Sequence, residues 1–137
     1  MEKGINKVTY TQQDIHEIVL KQRKYFRSGA TLDIKTRIAA LKKLRDAVIK
    51  HETEIENVLY QDLGRSPVEA YLCDIGPTIV EINEMISGLK RWARPEIHFS
   101  GLMSFPSLVT KVYKTPYGVC LIISPFIMPF VLSCLAP

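Results

Sequence analysis

The chain has 137 residues, 47% hydrophobic and 23% charged, with a formal net charge of +4. That length suits one ordinary domain, and that mixture excludes bulk disorder. The positive balance does not define a nucleic-acid binder, because Lys and Arg alternate with Asp and Glu and no basic stripe carries interleaved aromatics.

The first residues, MEKGINKVTY, lack the apolar run of a secretory signal. Three cysteines, Cys73, Cys120 and Cys134, make an odd count without a CxxC or a His-spaced cluster. Neither a disulfide framework nor a zinc site follows from that pattern, and reduced thiols in a cytoplasmic protein are expected. His16, His51 and His98 are scattered and read as surface or boundary residues.

Residues 11–28 read as a helix. Thr11 caps it, Asp14 sits three positions later, and Ile15, Ile18, Val19 and Phe26 share a face, with Gly29 as the stop. A second helix spans about 32–51, with Ile34, Ile38, Leu41, Leu44 and Val48 at helical spacing and charges elsewhere. A third runs from a Thr53 cap through Ile55, Val58, Leu59 and Leu63 to Gly64, which enters the left-handed cap conformation cheaply. Ser66-Pro67-Val68-Glu69 opens a fourth, with Ser66 as cap, Pro67 in the first turn and Glu69 reaching back. Its apolar positions are Ile75, Ile79, Ile82, Ile86, Leu89 and Ala93, with a kink expected at Gly76-Pro77.

Residues 95–108 read as loop. Val109 to Thr115 is rich in β-branched residues and reads as a partly exposed strand, broken by Pro116-Tyr117-Gly118. Val119 to Ile123 is a continuous apolar run of strand length, expected to be buried on both faces. Ser124-Pro125 ends it, and Pro129 opens a further helix through Val131 and Leu132.

Three sets of residues carry a resemblance. Lys114-Thr115-Pro116-Tyr117-Gly118-Val119 followed by Ile122-Ile123-Ser124-Pro125-Phe126-Ile127-Met128-Pro129-Phe130 resembles the aldehyde dehydrogenase pattern P-x-G-V, apolar strand, P-W-N-Y-P. Asp62-Leu63-Gly64-Arg65 with Glu69-Ala70-Tyr71 resembles the D-L-G-K…E-A segment of that superfamily's class 3-like branch. Trp92 and Pro95 close a helix as that branch does. The resemblance runs over residues 11–137.

It implies an α/β family in which this chain is the N-terminal helical layer of about four helices, a β-arm strand, and the first strand of a Rossmann-like cofactor domain. The division falls into 1–108, helical, and 109–137, arm and start of the cofactor domain. The implied reaction converts an aldehyde to a carboxylic acid with NAD or NADP, through a thiohemiacetal, hydride transfer and a thioester. By the same resemblance Ile123, Ser124, Pro125 and Phe126 match positions lining the cofactor pocket, and Ile127 occupies the position of the asparagine that donates to the oxyanion. Isoleucine has no side-chain donor, and loss of one oxyanion donor typically costs about 10²–10³ in rate.

The family's nucleophilic cysteine, general-base glutamate and glycine-rich turn match nothing in this chain, which has no G-x-G-x-x-G. Cys134 and Cys120 have no adjacent His, Lys or Arg and read as buried structural thiols. The expectation is therefore a truncated dehydrogenase, a fragment inactive alone and not binding NAD or NADP by itself. Its partner would be the remainder of the enzyme or a homologous chain. One alternative is a non-enzymatic helical module that complements or docks on another dehydrogenase chain. Another is a C-terminal membrane anchor, since Val119 to Pro137 has no charge and approaches a bilayer span; Pro125 and Pro129 oppose it.

Overall fold

The computed structural model describes residues 10–99, 101 and 109–135. Helix α1, Gln12–Arg27, begins with the expected capping box: the Asp14 N–H donates to Thr11 Oγ1 at 3.2 Å, and the Thr11 N–H donates to Asp14 Oδ2 at 2.8 Å. Gly29 follows at φ 76°, where glycine avoids the Cβ penalty.

Helix α2, Ile34–Lys50, is capped by Asp33, which accepts from the Thr36 N–H at 3.0 Å. Helix α3, Glu52–Leu63, starts at the His51 joint and not at Thr53. No side chain caps it; Glu52 and Glu54 in its first turn supply the favourable charge instead. Gly64 closes it in the left-handed conformation, as its position predicts.

The fourth expected helix is one rod with a widened turn. Its first stretch is α4, Pro67–Ala70, with the Ser66–Glu69 capping box formed. Tyr71–Ile75 is a π turn, and α5 continues over Gly76–Trp92. The expected kink at Gly76-Pro77 takes this form for a physical reason. Pro77 has no N–H to offer the Cys73 carbonyl, and its ring would press on that carbonyl in an α-helix. Widening the preceding turn lets the Gly76 N–H reach back to Tyr71 O.

The core lies between α2 and α5, with α3 against α4, and α6, Pro129–Leu135, against α5 and the π turn. Val48, Leu59, Ala70, Ile75, Ile82 and Val131 are its buried apolar residues. Arg45 Nη1 donates to Asn83 Oδ1 at 3.1 Å and ties α2 to α5 at the surface. At the end of α5, Gly88 leaves room for Trp92: a Cβ there would lie 2.4 Å from the indole.

Two antiparallel strands, β1 at Glu96–Phe99 and β2 at Val109–Val112, form a ribbon with Glu96 opposite Val112 and Phe99 opposite Val109. β2 realises most of the expected arm strand. β1 corrects the reading of 95–108 as loop; residues 100 and 102–108 of that stretch lie outside the described residues. Glu-Ile-His-Phe does alternate, but four residues are too few to separate from a loop without their partner. Lys114 Nζ meets Glu96 Oε1 at 2.7 Å and fastens the base of the ribbon.

The second expected strand, Val119–Ile123, is corrected too. It has no ladder among the described residues, and Leu121 and Ile123 are 85% and 84% exposed. An apolar strand needs a pairing partner on each edge and cover on each face, and nothing among the described residues provides them. Its start is anchored: Gly118, at φ 100°, lies against the Phe26 ring, 3.3 Å from where a Cβ would stand. No described helix is long and apolar enough to cross a membrane.

Candidate functional site

The loop Ser124–Met128 and the first turn of α6 are held on the helical layer by two side chains. Arg65 stands in the short joint between α3 and α4, fixed on one side by the Gly64 turn and on the other by the Ser66 cap. Its Nη1 donates to Asp74 Oδ2, and its Nη2 donates to the main-chain carbonyl of Ile127. Asp74 is fully buried in the π turn. Its Oδ1 accepts from the Val131 N–H at 3.4 Å, and its carbonyl accepts from Thr78 Oγ1 at 2.7 Å. One buried carboxylate and one guanidinium thus join α4–α5 to both ends of the Ile127–Val131 segment. Burial of such a pair is tolerated because its lone pairs and donors find partners.

The structure brings Ile123, Ser124, Pro125, Phe126 and Ile127 together as one surface loop. Ser124 is half-buried, and its hydroxyl can donate to Pro125 O at 3.3 Å in the loop or to Pro129 O at 3.4 Å in α6. Phe126 is 88% exposed and Ile127 is 72% exposed, so both side chains project from the layer. These residues offer an apolar wall and no more. The loop carries no charged side chain and no glycine-rich turn, so it has nothing to grip the phosphates of a dinucleotide. This loop by itself does not hold the phosphates of NAD or NADP.

Beside the loop, a groove of about 550 Å³ runs between α3 and α6, lined by His51, Glu54, Val58, Leu63, Phe126 and Phe130 among others. His51 Nδ1 lies 3.0 Å from Glu54 Oε2 at its rim. No thiol lines this groove. Cys120 is exposed, which corrects the expectation of a buried thiol; it lies in the run that has no strand neighbours. Cys134 is half-buried in α6, and burial pushes its thiol pKa up, opposite to what a nucleophile needs. Among the described residues no three His, Cys, Asp or Glu side chains gather as a metal site.

Sequence reasoning missed the Arg65–Asp74 pair. A signal existed: Asp74 is the one charge in the stretch Ala70-Tyr71-Leu72-Cys73-Asp74-Ile75, and its neighbour Ile75 heads the apolar stripe. A strict α-helical wheel obscures how Asp74 and Ile75 can both turn inward; the π turn buries them side by side.

The Aldehyde dehydrogenase family matches residues 2–136 of this chain. The 4,4'-diaponeurosporen-aldehyde dehydrogenase of Staphylococcus aureus is 41% identical over 110 residues, covering 79% of this chain and 23% of that protein. Aldehyde dehydrogenase family 3 member I1 of Arabidopsis thaliana, a chloroplastic protein, is 34% identical over 116 residues, covering 85% of this chain and 21% of its own length. A solved structure described as the substrate-bound state of Staphylococcus aureus AldH superposes with a TM-score of 0.84 at 37% identity, over 88% of this chain and 26% of that one. The chain belongs to the aldehyde dehydrogenase family, in its class 3-like branch, and spans about a quarter of the length of the relatives it matches. Its fold is that of an N-terminal helical part of such an enzyme.

Proposed function

We propose that this chain is the helical layer and oxyanion loop of a cytoplasmic, NAD(P)-dependent aldehyde dehydrogenase, and that it does not turn over aldehyde by itself. The observation that carries this reading is the loop at Ile127. Its main chain is fastened to the layer, yet the side chain at the family's oxyanion position is an exposed isoleucine that can donate nothing. None of the three cysteines meets the conditions for a nucleophile. Cys73 and Cys134 are half-buried, and exposed Cys120 accompanies no base in its hydrogen bonding, its thiol lying 3.9 Å from Gly118 O. The whole enzyme's conversion of an aldehyde to a carboxylic acid would draw its nucleophile, base and dinucleotide grip from residues other than these.

The test is direct. The purified chain, mixed with an aliphatic or aromatic aldehyde and either NAD or NADP, should give no reduced nicotinamide fluorescence. Steady production of it would overturn the proposal.

A second reading has its own observation. Leu121, Ile123, Phe126 and Ile127 are all strongly exposed and fall within seven residues of chain, as expected of a surface that another protein covers. On this reading the chain complements or docks on a further dehydrogenase chain. A stoichiometric complex in which residues 119–127 become protease-resistant supports it; unchanged cleavage of those residues in the mixture opposes it.

A further inference from the structure

We propose that Arg65 is a positioning residue, held by buried Asp74 so that its guanidinium fixes the main chain at residue 127 and thereby sets where that residue's side chain points. This deepens the function proposed above and rests on it for what the loop is for, though not for the clamp's existence.

The geometry separates two jobs within one side chain. A guanidinium is a planar fork with five donors, so it can satisfy a carboxylate and a carbonyl at once without changing rotamer. Here Nη1 serves Asp74 and Nη2 serves the Ile127 carbonyl. Asp74 in turn holds the Val131 N–H through its second oxygen, so the segment 127–131 is gripped at both ends from the same buried pair. The partner at residue 127 is its carbonyl, which every residue type possesses. The clamp is therefore blind to the side chain: it holds isoleucine as it would hold asparagine. That accounts for a loop that stays anchored while its exposed side chain departs from the family's donor.

A lysine at 65 distinguishes this role from core stabilisation. Its ammonium can neutralise Asp74, but a single point charge on a flexible stem does not reproduce the two-pronged fork. The experiment measures amide hydrogen exchange by mass spectrometry on the intact chain, comparing wild type, Arg65→Lys and the charge-free double variant Arg65→Met/Asp74→Asn. In both variants, exchange over residues 126–132 should rise about ten- to a hundredfold, the range for loss of a charge-assisted hydrogen bond. Peptides from α2 and from α5 beyond Ile79 should keep their wild-type exchange.

Unchanged exchange over 126–132 in Arg65→Lys would overturn the proposal. So would equal acceleration of α2 and α5 in both variants, which would make the pair a general stabiliser of the layer. Reduced nicotinamide formation by the wild-type chain would sink the functional reading and leave this result standing, so the two failures are distinguishable.

Discussion

Asp14, Asp33 and Glu69 do the same work at three helix starts, and all three are fully solvated. The Thr11 hydroxyl, ahead of its N–H, holds Asp14 below its ordinary 3.8. The Thr36 N–H, ahead of its hydroxyl, does so for Asp33, and the Ser66 N–H, ahead of its hydroxyl, holds Glu69 below 4.5. Each carboxylate is thus better bound when ionised and folded. Its contribution is complete above the ordinary value and is lost as pH falls through the depressed one. Helical ellipticity, followed from about pH 6 down to about pH 2, should fall below the ordinary carboxylate values, and Thr11→Ala with Ser66→Ala should flatten that fall. An identical acid profile in the double variant would show that the caps are not responsible. The thiols sort by exposure: iodoacetamide should label Cys120 first and Cys134 last, because burial disfavours the Cys134 thiolate. Mass spectrometry of a time course reads the order, and early Cys134 labelling would mean that α6 leaves the layer.

At the scale of the element, the helical layer was legible because its signals are local. Thr11 with Asp14, Ser66-Pro67 with Glu69, and Gly64 each fix a helix end within three residues, and the stripe from Ile75 to Ala93 fixes a face. What escaped depends on partners distant in sequence or on a departure from 3.6 residues per turn. β1 needs β2, Val119–Ile123 needs strands that the described residues do not include, and Asp74 needs the π turn. The stripe itself makes a sharp prediction. Ile82 of α5 is fully buried, so Ile82→Ala should cost about 2–5 kcal/mol in a urea titration, from lost transfer energy plus the cavity. A cost under about 1 kcal/mol would mean that the layer collapses around the gap. Gly88→Ala removes a helix-weakening glycine, worth up to about 1 kcal/mol, but thrusts a methyl into the Trp92 ring. Because Trp92 is the sole tryptophan, a shift in its emission reports the displacement directly. Unaltered emission would show that the methyl is accommodated without moving the ring.

For the molecule as a whole, the layer has a core that α6 joins through Val131, while the stretch from Val119 to Ile127 has little beyond its anchor points. Leu121 and Ile123, if covered, would each contribute about 1.5–3 kcal/mol, comparable to a large share of the 5–15 kcal/mol that stabilises a typical domain. The chain should therefore bind a hydrophobic dye in its folded state, and Leu121→Lys with Ile123→Glu should reduce that binding while leaving helical ellipticity unchanged. Dye binding that survives the double substitution would place the sticky surface elsewhere, the α3–α6 groove being the next candidate. The site was legible only as a resemblance: the motif marked Ile127, while the means of holding it lay 62 positions away at Arg65.

The π turn has a consequence for length. A widened turn carries one residue more than an α-helix needs, and each residue of an α-helix turns the chain by about 100°. Taking Leu72 out while changing Pro77 to Ala would leave a plain helix from Pro67 to Trp92. The extra residue is absorbed within the widened turn, so removing it leaves α4 and Arg65 facing as before relative to α5, whereas the same deletion in a plain α-helix would swing one side by about 100°. What changes is the turn itself, where Asp74 is buried. The deletion therefore tests whether the aim of the carboxylate depends on the widened turn while its Arg65 partner stays in place.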